Sequence, residues 1–204
     1  MTEEIGLFEA MYTQRAIRHL KPDPIPDELI QQIIDAGIRA PNGGNSQQWG
    51  FVVIKDESTK KIINEHYAAV VRPNHGKAST LSEQRAADSA DYLGQHIMDV
   101  PVWILAVTNH PGTDIHHGAS IYPAVQNMLL AARALNIGSV LTTRVRRGFE
   151  DHIRSAIGLP EGWATAAMIP LGWPMEGYRY GPTTRKPASE VTHWDKWGTR
   201  SQNT

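Results

Sequence analysis

The chain has no cysteine among its 204 residues. That absence removes disulfides, thiolate nucleophiles, iron-sulfur clusters and cysteine zinc sites together, so any redox chemistry must come from a bound cofactor. An excess of either charge is missing too, since 20 basic residues stand against 21 acidic ones. No field therefore steers the chain onto nucleic acid or anionic lipid. No apolar run approaches the ~20 residues that span a bilayer, and Met1-Thr2-Glu3-Glu4 is acidic where a leader would be basic, which predicts a cytoplasmic protein with no membrane partner. Gly-x-Gly-x-x-Gly, Gly-x-Ser-x-Gly and His-Glu-x-x-His are all absent, which sets aside a dinucleotide fold, a serine nucleophile elbow and that helical zinc site. Internal repeats, heptads and low-complexity tracts are lacking as well.

The length suits one domain over residues 1–204, enough to bury roughly 70% of its unfolded surface. Ile5, Phe8, Met11 and Tyr12 share a helical face, and Gln14-Arg15-Ala16-Ile17-Arg18 then sets two guanidiniums three apart, on one side if the helix continues. Lys21 to Pro26 must be extended, with Pro26 in the first turn of a helix whose buried stripe is Leu29, Ile30, Ile33, Ile34, Gly37 and Ile38 and which Pro41 stops. Phe51 to Ile54 predicts a buried strand, and Ser58 an N-cap. Residues 72–99 form a polar excursion, irregular to Thr80 and helical from Leu81 to Asp99. Pro101 to Thr108 predicts a central strand, followed by a loop carrying His110, His116 and His117. Ser120 to Leu135 is the most apolar helix, broken by Gln126 and Asn127 and closed by Asn136 to Gly138, and it fits the middle of a core and a subunit interface. Glu150 to Ile157 gives another helix and Trp163 to Leu171 the last strand. The extension 173–204 carries apolar rings without a core of its own and is suited to wrap a partner.

The richest segment for chemistry is Ala40-Pro41-Asn42-Gly43-Gly44-Asn45-Ser46-Gln47-Gln48-Trp49. Its amides can donate to and accept from a flat heterocycle, and Gly43-Gly44 lets the backbone approach a ligand without a Cβ in the way. The same stretch serves equally as a polar connection from helix to strand. The histidines 110, 116 and 117, in a Gly-Pro loop with Asp114, match no strong ligand spacing, so no metal is predicted. Tyr67, Tyr92 and His96 fall near the polar excursion, and the tryptophans are most simply core and interface anchors.

Three motifs in order give the chain a resemblance to the FMN-dependent nitroreductase family along nearly its whole length. The family's Arg-Arg-Ser-Ile-Arg pattern and proline-bearing segment are matched by Gln14-Arg15-Ala16-Ile17-Arg18 with Pro22, Pro24 and Pro26. Its Ala-Pro-Ser-x-x-Asn-x-Gln-Pro-Trp pattern is matched at Ala40, Pro41, Asn45, Gln47 and Trp49. Its closing strand end and late basic residue look like Leu171-Gly172-Trp173-Pro174 and Arg185-Lys186-Pro187.

The resemblance implies an α+β fold with a central mixed, mainly antiparallel sheet flanked by helices, and an intertwined homodimer with FMN at the subunit interface. It implies that Gln14, Arg15, Arg18 and Arg185 approach the flavin from one chain and Pro41, Asn42, Gly43 and Asn45 from the other, with Gln47 near the interface. Arg15 and Arg185 are the phosphate candidates, because guanidiniums offer planar paired donors and stay charged. Arg18 lies where a fixed cation stabilises the negative charge of reduced flavin. A main-chain donor at Leu141 or Thr142 would meet flavin N5, although an ordinary strand end serves equally there. Gln14 and Ala16 depart from the arginine and serine usual in the family, and Gln48 from proline, so the phosphate site is remodelled, with Arg144 or Arg146 as possible compensation.

The implied activity is hydride transfer from NADPH or NADH to FMN and onward to a nitroaromatic or quinone, a small flat aromatic acceptor, in the same pocket. No side-chain nucleophile is needed for that. The alternatives are a specialised enzyme of the same scaffold, such as the flavin-fragmenting enzyme of benzimidazole synthesis, or a non-catalytic protein that binds or sequesters flavin.

Overall fold

Strand β2 (Val102–Thr108) is buried at every position, because it lies between two other strands and beneath helices on both faces. The sheet order is β1-β2-β4-β3, with β1 at Trp49–Ile54, β3 at Gly138–Ser139 and β4 at Ala164–Gly172. All three pairings are antiparallel, so the sheet expected to be mixed has no parallel pair among the described residues. The structure is a computed structural model and describes residues 5–70, 79–109, 115–148 and 150–200.

The pleat of β2 divides the core in two. Trp103, Leu105 and Val107 pack with Ile63, Tyr67, Ile97 and Ile153, under α3 (Glu57–Val70) and α6 (Glu150–Ala156). Val102, Ile104 and Ala106 pack with Ile30, Ile33, Ile121, Val125 and Met128, under α2 (Asp27–Gly37) and α5 (Ile115–Ala134). Each valine, leucine, isoleucine or methionine among them contributes roughly 1.5–3 kcal/mol when taken fully out of water, before the cost of ordering it. β1 is an edge strand, so only its Ile54 is buried and the expected buried strand is half-covered.

Helix α2 begins after Pro26, its N-cap, with Asp27 and Glu28 complementing the helix dipole. It stops at Gly37, before Pro41, as Arg39 and Ala40 donate to Ala36 and Gly37 in tightening turns. A Cβ at Gly37 would lie 2.7 Å from Met128 Cγ, so the bare glycine is what lets α2 sit close on α5. Ile38, expected in the stripe, is exposed. Helix α5 starts at Ile115, five residues before the expected start, and closes with Asn136 at φ 56 and an Ile137 N–H to Ala132 bond of 2.8 Å. His116 and His117 therefore sit on this helix and not in a loop; His110 lies outside the described residues.

Asp56, and not Ser58, caps α3. Its Oδ2 accepts from the Thr59 N–H at 2.8 Å and the Thr59 hydroxyl at 2.9 Å, and the Ser58 hydroxyl donates to the same oxygen at 2.5 Å. These donors hold the carboxyl down at about 2, with the Ser58 bond the largest cause. The polar excursion expected over 72–99 lies outside the described residues as far as 78. From there Thr80 opens α4 (Leu81–His96) with a capping box to Glu83, and Leu93 and Gly94 are its buried residues.

Buried Arg133 ties three segments together. Its Nε donates to Thr13 Oγ1 at 2.8 Å, an Nη lies 3.6 Å from Glu9, and the guanidinium sits 4.3 Å from the Tyr180 ring centroid. The start of the C-terminal extension thus docks on its own chain, with Gly181 donating to Thr13 O. Farther along, Val191 at the end of α7 (Ala188–Val191) and Trp194 and Trp197 beyond it are exposed.

Candidate functional site

Helix α1 (Leu7–Thr13) ends at Gln14, whose φ of -63 and ψ of 132 turn the chain extended. The segment after it runs along the β3 and β4 ends of the sheet. Ile17 donates to Ser139 O at 3.0 Å, Lys21 to Trp173 O at 2.8 Å, and His19 O accepts from Met175 at 3.0 Å. Ile17 and Leu20 are buried pegs. Gly138 and Gly172 face each other across the β3–β4 pair, and a Cβ on Gly138 would meet Leu20 Cδ2 at 2.6 Å. Arg15 and Arg18 thus share a cleft because this pegged segment presents them there. Neither is in a helix, so their three-residue spacing does not set them on one helical face as expected.

That cleft has a volume of about 780 Å³ and gathers Gln14, Arg15, Arg18, Leu141 and Arg185. Its opposite wall is α4, through Ser82, Arg85 and Ser89. A smaller pocket of about 200 Å³ continues behind Arg18 and holds Tyr67, Leu141, Thr142 and Arg144. Arg18 is half-buried and makes no hydrogen bond or ion pair among the described residues. Burial, and then the Arg144 cation, lower its guanidinium from the ordinary value, while Tyr67 opposes them. Arg144 has its own partners, Ala90 O at 3.3 Å and Asp91 at 3.8 Å.

The strand-end donors separate clearly. Thr142 N–H is 2.9 Å from Met168 O, and Thr142 O accepts from Met168 N at 2.8 Å, so its backbone is committed. Leu141 N–H has no partner among the described residues, which leaves it as the available donor of the two. Arg144, one of two compensating cations considered for Gln14, stands in the smaller pocket, and Arg146 lines none of these spaces. Arg85 is the added cation that does share the cleft with Gln14. Its sequence signal was available: Ser82, Arg85, Ala86 and Ser89 follow helical spacing after the Thr80-x-x-Glu83 capping box.

Pro41, Asn42, Gly43, Asn45 and Gln47 do not line this cleft. They form a separate loop around a 3-10 turn at Gly43–Asn45. Asn42 Oδ1 accepts from Gln47 N at 2.9 Å, and Gly43 N–H reaches Ser120 Oγ at 3.3 Å. Asn45 and Gln47 both have φ of 51, a left-handed conformation that costs a non-glycine residue and clusters where function requires it. Their side chains are exposed. Of the aromatics near the excursion, Tyr67 is buried, whereas Tyr92 lines a neighbouring cleft.

An antiparallel sheet between two helical layers, with a basic cleft beside its short strand, defines an α+β protein. The Nitroreductase family model matches residues 12–173. The chain belongs to the nitroreductase family. It is 28% identical to an NADH dehydrogenase of Thermus thermophilus over 91% of this chain and 94% of that one. To a 5,6-dimethylbenzimidazole synthase of Rhodospirillum rubrum it is 28% identical, over 89% and 91%. A nitroreductase from Desulfitobacterium hafniense solved with bound FMN shares the fold at a TM-score of 0.71, with 21% identity over 96% of this chain and all of that one.

Proposed function

We propose that the chain is an FMN-dependent oxidoreductase that takes hydride from NADPH or NADH and passes electrons to a nitroaromatic or quinone-type acceptor. The observation that carries this reading is Arg18, half-buried at the junction of the cleft and the smaller pocket without an anionic partner among the described residues. A partly desolvated cation is costly unless something answers its charge, and a ligand that becomes anionic on reduction does so.

The donor set suits FMN. Arg15 and Arg185 offer phosphate donors in the cleft, and half-buried Arg18 and the unused Leu141 N–H line both it and the smaller pocket. Bound FMN would supply reversible hydride acceptance at N5. The protein's part is to orient the ring, hold a positive charge beside its pyrimidine side and admit one flat partner at a time.

The reading includes a homodimer in which Pro41, Asn42, Gly43 and Asn45 of a second copy complete the site, with Gln47 near the interface. Support comes from the placement of that loop outside the cleft, and from the exposed Leu7, Phe8, Met11, Tyr12, Trp194 and Trp197.

The test is an anaerobic titration of the FMN-loaded protein with NADPH and then NADH, following flavin absorbance. Rapid bleaching, reversed by a nitroaromatic or a quinone, is the expected result. Flavin that binds but stays oxidised with both nucleotides would overturn the reductase reading and favour a flavin-sequestering protein. Loss of flavin in oxygen without acceptor turnover would favour a flavin-fragmenting enzyme, the chemistry class suggested by the benzimidazole synthase relative.

A further inference from the structure

A second cleft, of about 640 Å³, lies against the first and shares Arg15, Arg18, Arg85 and Ser89 with it. Its own additions include the rings of His19, Tyr92 and Tyr178, the cation Arg179 and the carboxylate Asp88. Four rings stack in sequence, His19, Tyr92 and Tyr178 lining the cleft and His96 continuing the stack from Tyr92. His96 lies 4.3 Å from Tyr92, Tyr92 3.8 Å from His19, and His19 3.7 Å from Tyr178 at an interplanar angle of 7°. The stack is held at its far end by His96 Nδ1 against Asp99 at 3.1 Å. Tyr178 ends it at the other side, 43% exposed, so one ring face is backed by histidine and the other has no aromatic neighbour among the described residues. Such a braced, half-covered ring is a stacking platform for a flat base.

Beside it, Arg15, Arg85 and Arg179 are exposed, and none has an ion-pair partner among the described residues. Three guanidiniums without an ion-pair partner among the described residues, around one cleft of a chain whose overall charge is nearly balanced, concentrate positive potential there. The carboxylate in the same cleft, Asp88, is engaged by Gln84 at 2.7 Å and keeps lone pairs for a hydroxyl.

We propose that this cleft is the seat of the adenosine end of the reductant, and that Arg85 and Arg179 read a phosphate on the 2′ position of its ribose, so that the enzyme takes NADPH in preference to NADH. The proposal rests on the nicotinamide-dependent reading above. Adenine stacks on Tyr178, Asp88 accepts from a ribose hydroxyl, and the contiguity of the clefts at Arg15 and Arg18 lets one extended dinucleotide reach the candidate flavin site.

Isothermal titration of the FMN-loaded protein with adenosine 2′,5′-bisphosphate and with 5′-AMP tests the site without any turnover. The bisphosphate is expected to bind at least about tenfold more tightly, as a charge-assisted phosphate contact provides. Arg85→Ala and Arg179→Ala should each shrink that ratio, while Tyr178→Ala should weaken both nucleotides alike and leave it unchanged. Equal affinity of the wild type for the two nucleotides, or a ratio untouched by both arginine variants, overturns the site. If that happens while NADH and NADPH still bleach the flavin equally, the reductase reading stands and this inference alone fails. Selective binding of the bisphosphate by a protein whose flavin neither nucleotide reduces would sink the reductase reading and overturn the cleft's assignment to a reductant.

Discussion

A half-buried guanidinium with Arg144 nearby is costly without an opposing charge, so a negative group beside it gains from the contact. Arg18→Gln is accordingly expected to slow flavin reduction by about one to two orders of magnitude and to lower the flavin midpoint potential, with Arg18→Lys in between. Stopped-flow reduction and a redox titration measure both, and a potential unmoved in Arg18→Gln would remove Arg18 from this role. Gln14 poses the opposite case, a position in the cleft where an amide stands in place of a charge. Gln14→Arg is predicted to tighten FMN by about tenfold, the order of one added charge-assisted contact. Fluorescence quenching on FMN titration reads it directly, and unchanged affinity would mean that Arg85 or another cation already meets the phosphate.

Two element-level devices carry separate predictions. The Asp56 cap of α3 keeps its carboxyl at about 2 against an ordinary 3.8. Because the folded value is the lower one, its contribution to stability is complete above the unfolded value and disappears as pH falls from about 4 toward 2. Asp56→Ala should therefore lower Tm near neutrality, with the difference from wild type closing across that acid window; a constant gap down to pH 2 would contradict the assignment. At the β3–β4 pair, Gly138→Ala pushes a methyl against Leu20 and Ile17, the pegs of the arginine segment. It is expected to cost about 1–3 kcal/mol and to weaken FMN binding along with stability, whereas a stability loss with unchanged FMN affinity would show that the arginine segment does not depend on this contact.

These same elements show which parts of the fold a sequence can reveal. β2 and β4 are legible because strands covered on both faces read as apolar runs, and the stop of α5 because Asn136 adopts the left-handed cap. β1 misleads because an edge strand can carry the same apolar run while half-covered. The Asp56 cap hides behind a neighbouring serine of equal capping propensity. In the candidate site, Gln14, Arg15, Arg18 and Arg185 are legible as a group through motif order, and one cleft brings them together with Leu141. Arg85 is not, since a lone arginine on a polar helix looks like any solvated charge until the facing wall is known. The choice between Leu141 and Thr142 turns on one backbone bond to Met168, which no local pattern announces.

For the whole molecule, the decisive fact is that the amide loop and the arginine cleft are separate places on one chain. If two copies share each site, the exposed Phe8 and Tyr12 of α1 and Trp197 of the tail are interface residues, and Phe8→Asp combined with Trp197→Asp should yield a monomer by sedimentation that has also lost FMN. Subunit complementation separates the arrangements further. Arg18→Ala and Asn45→Ala proteins would each be impaired alone. Co-expressed, a shared-site dimer forms mixed pairs in which one site carries both substitutions and the other carries neither, so random pairing restores about a quarter of all sites. Were each site built from a single chain, every site in the mixture would still carry one substitution and nothing would be regained. Recovery of activity in the mixture, together with a monomer that cannot hold FMN, is the outcome expected of a protein whose cofactor site exists only between two copies.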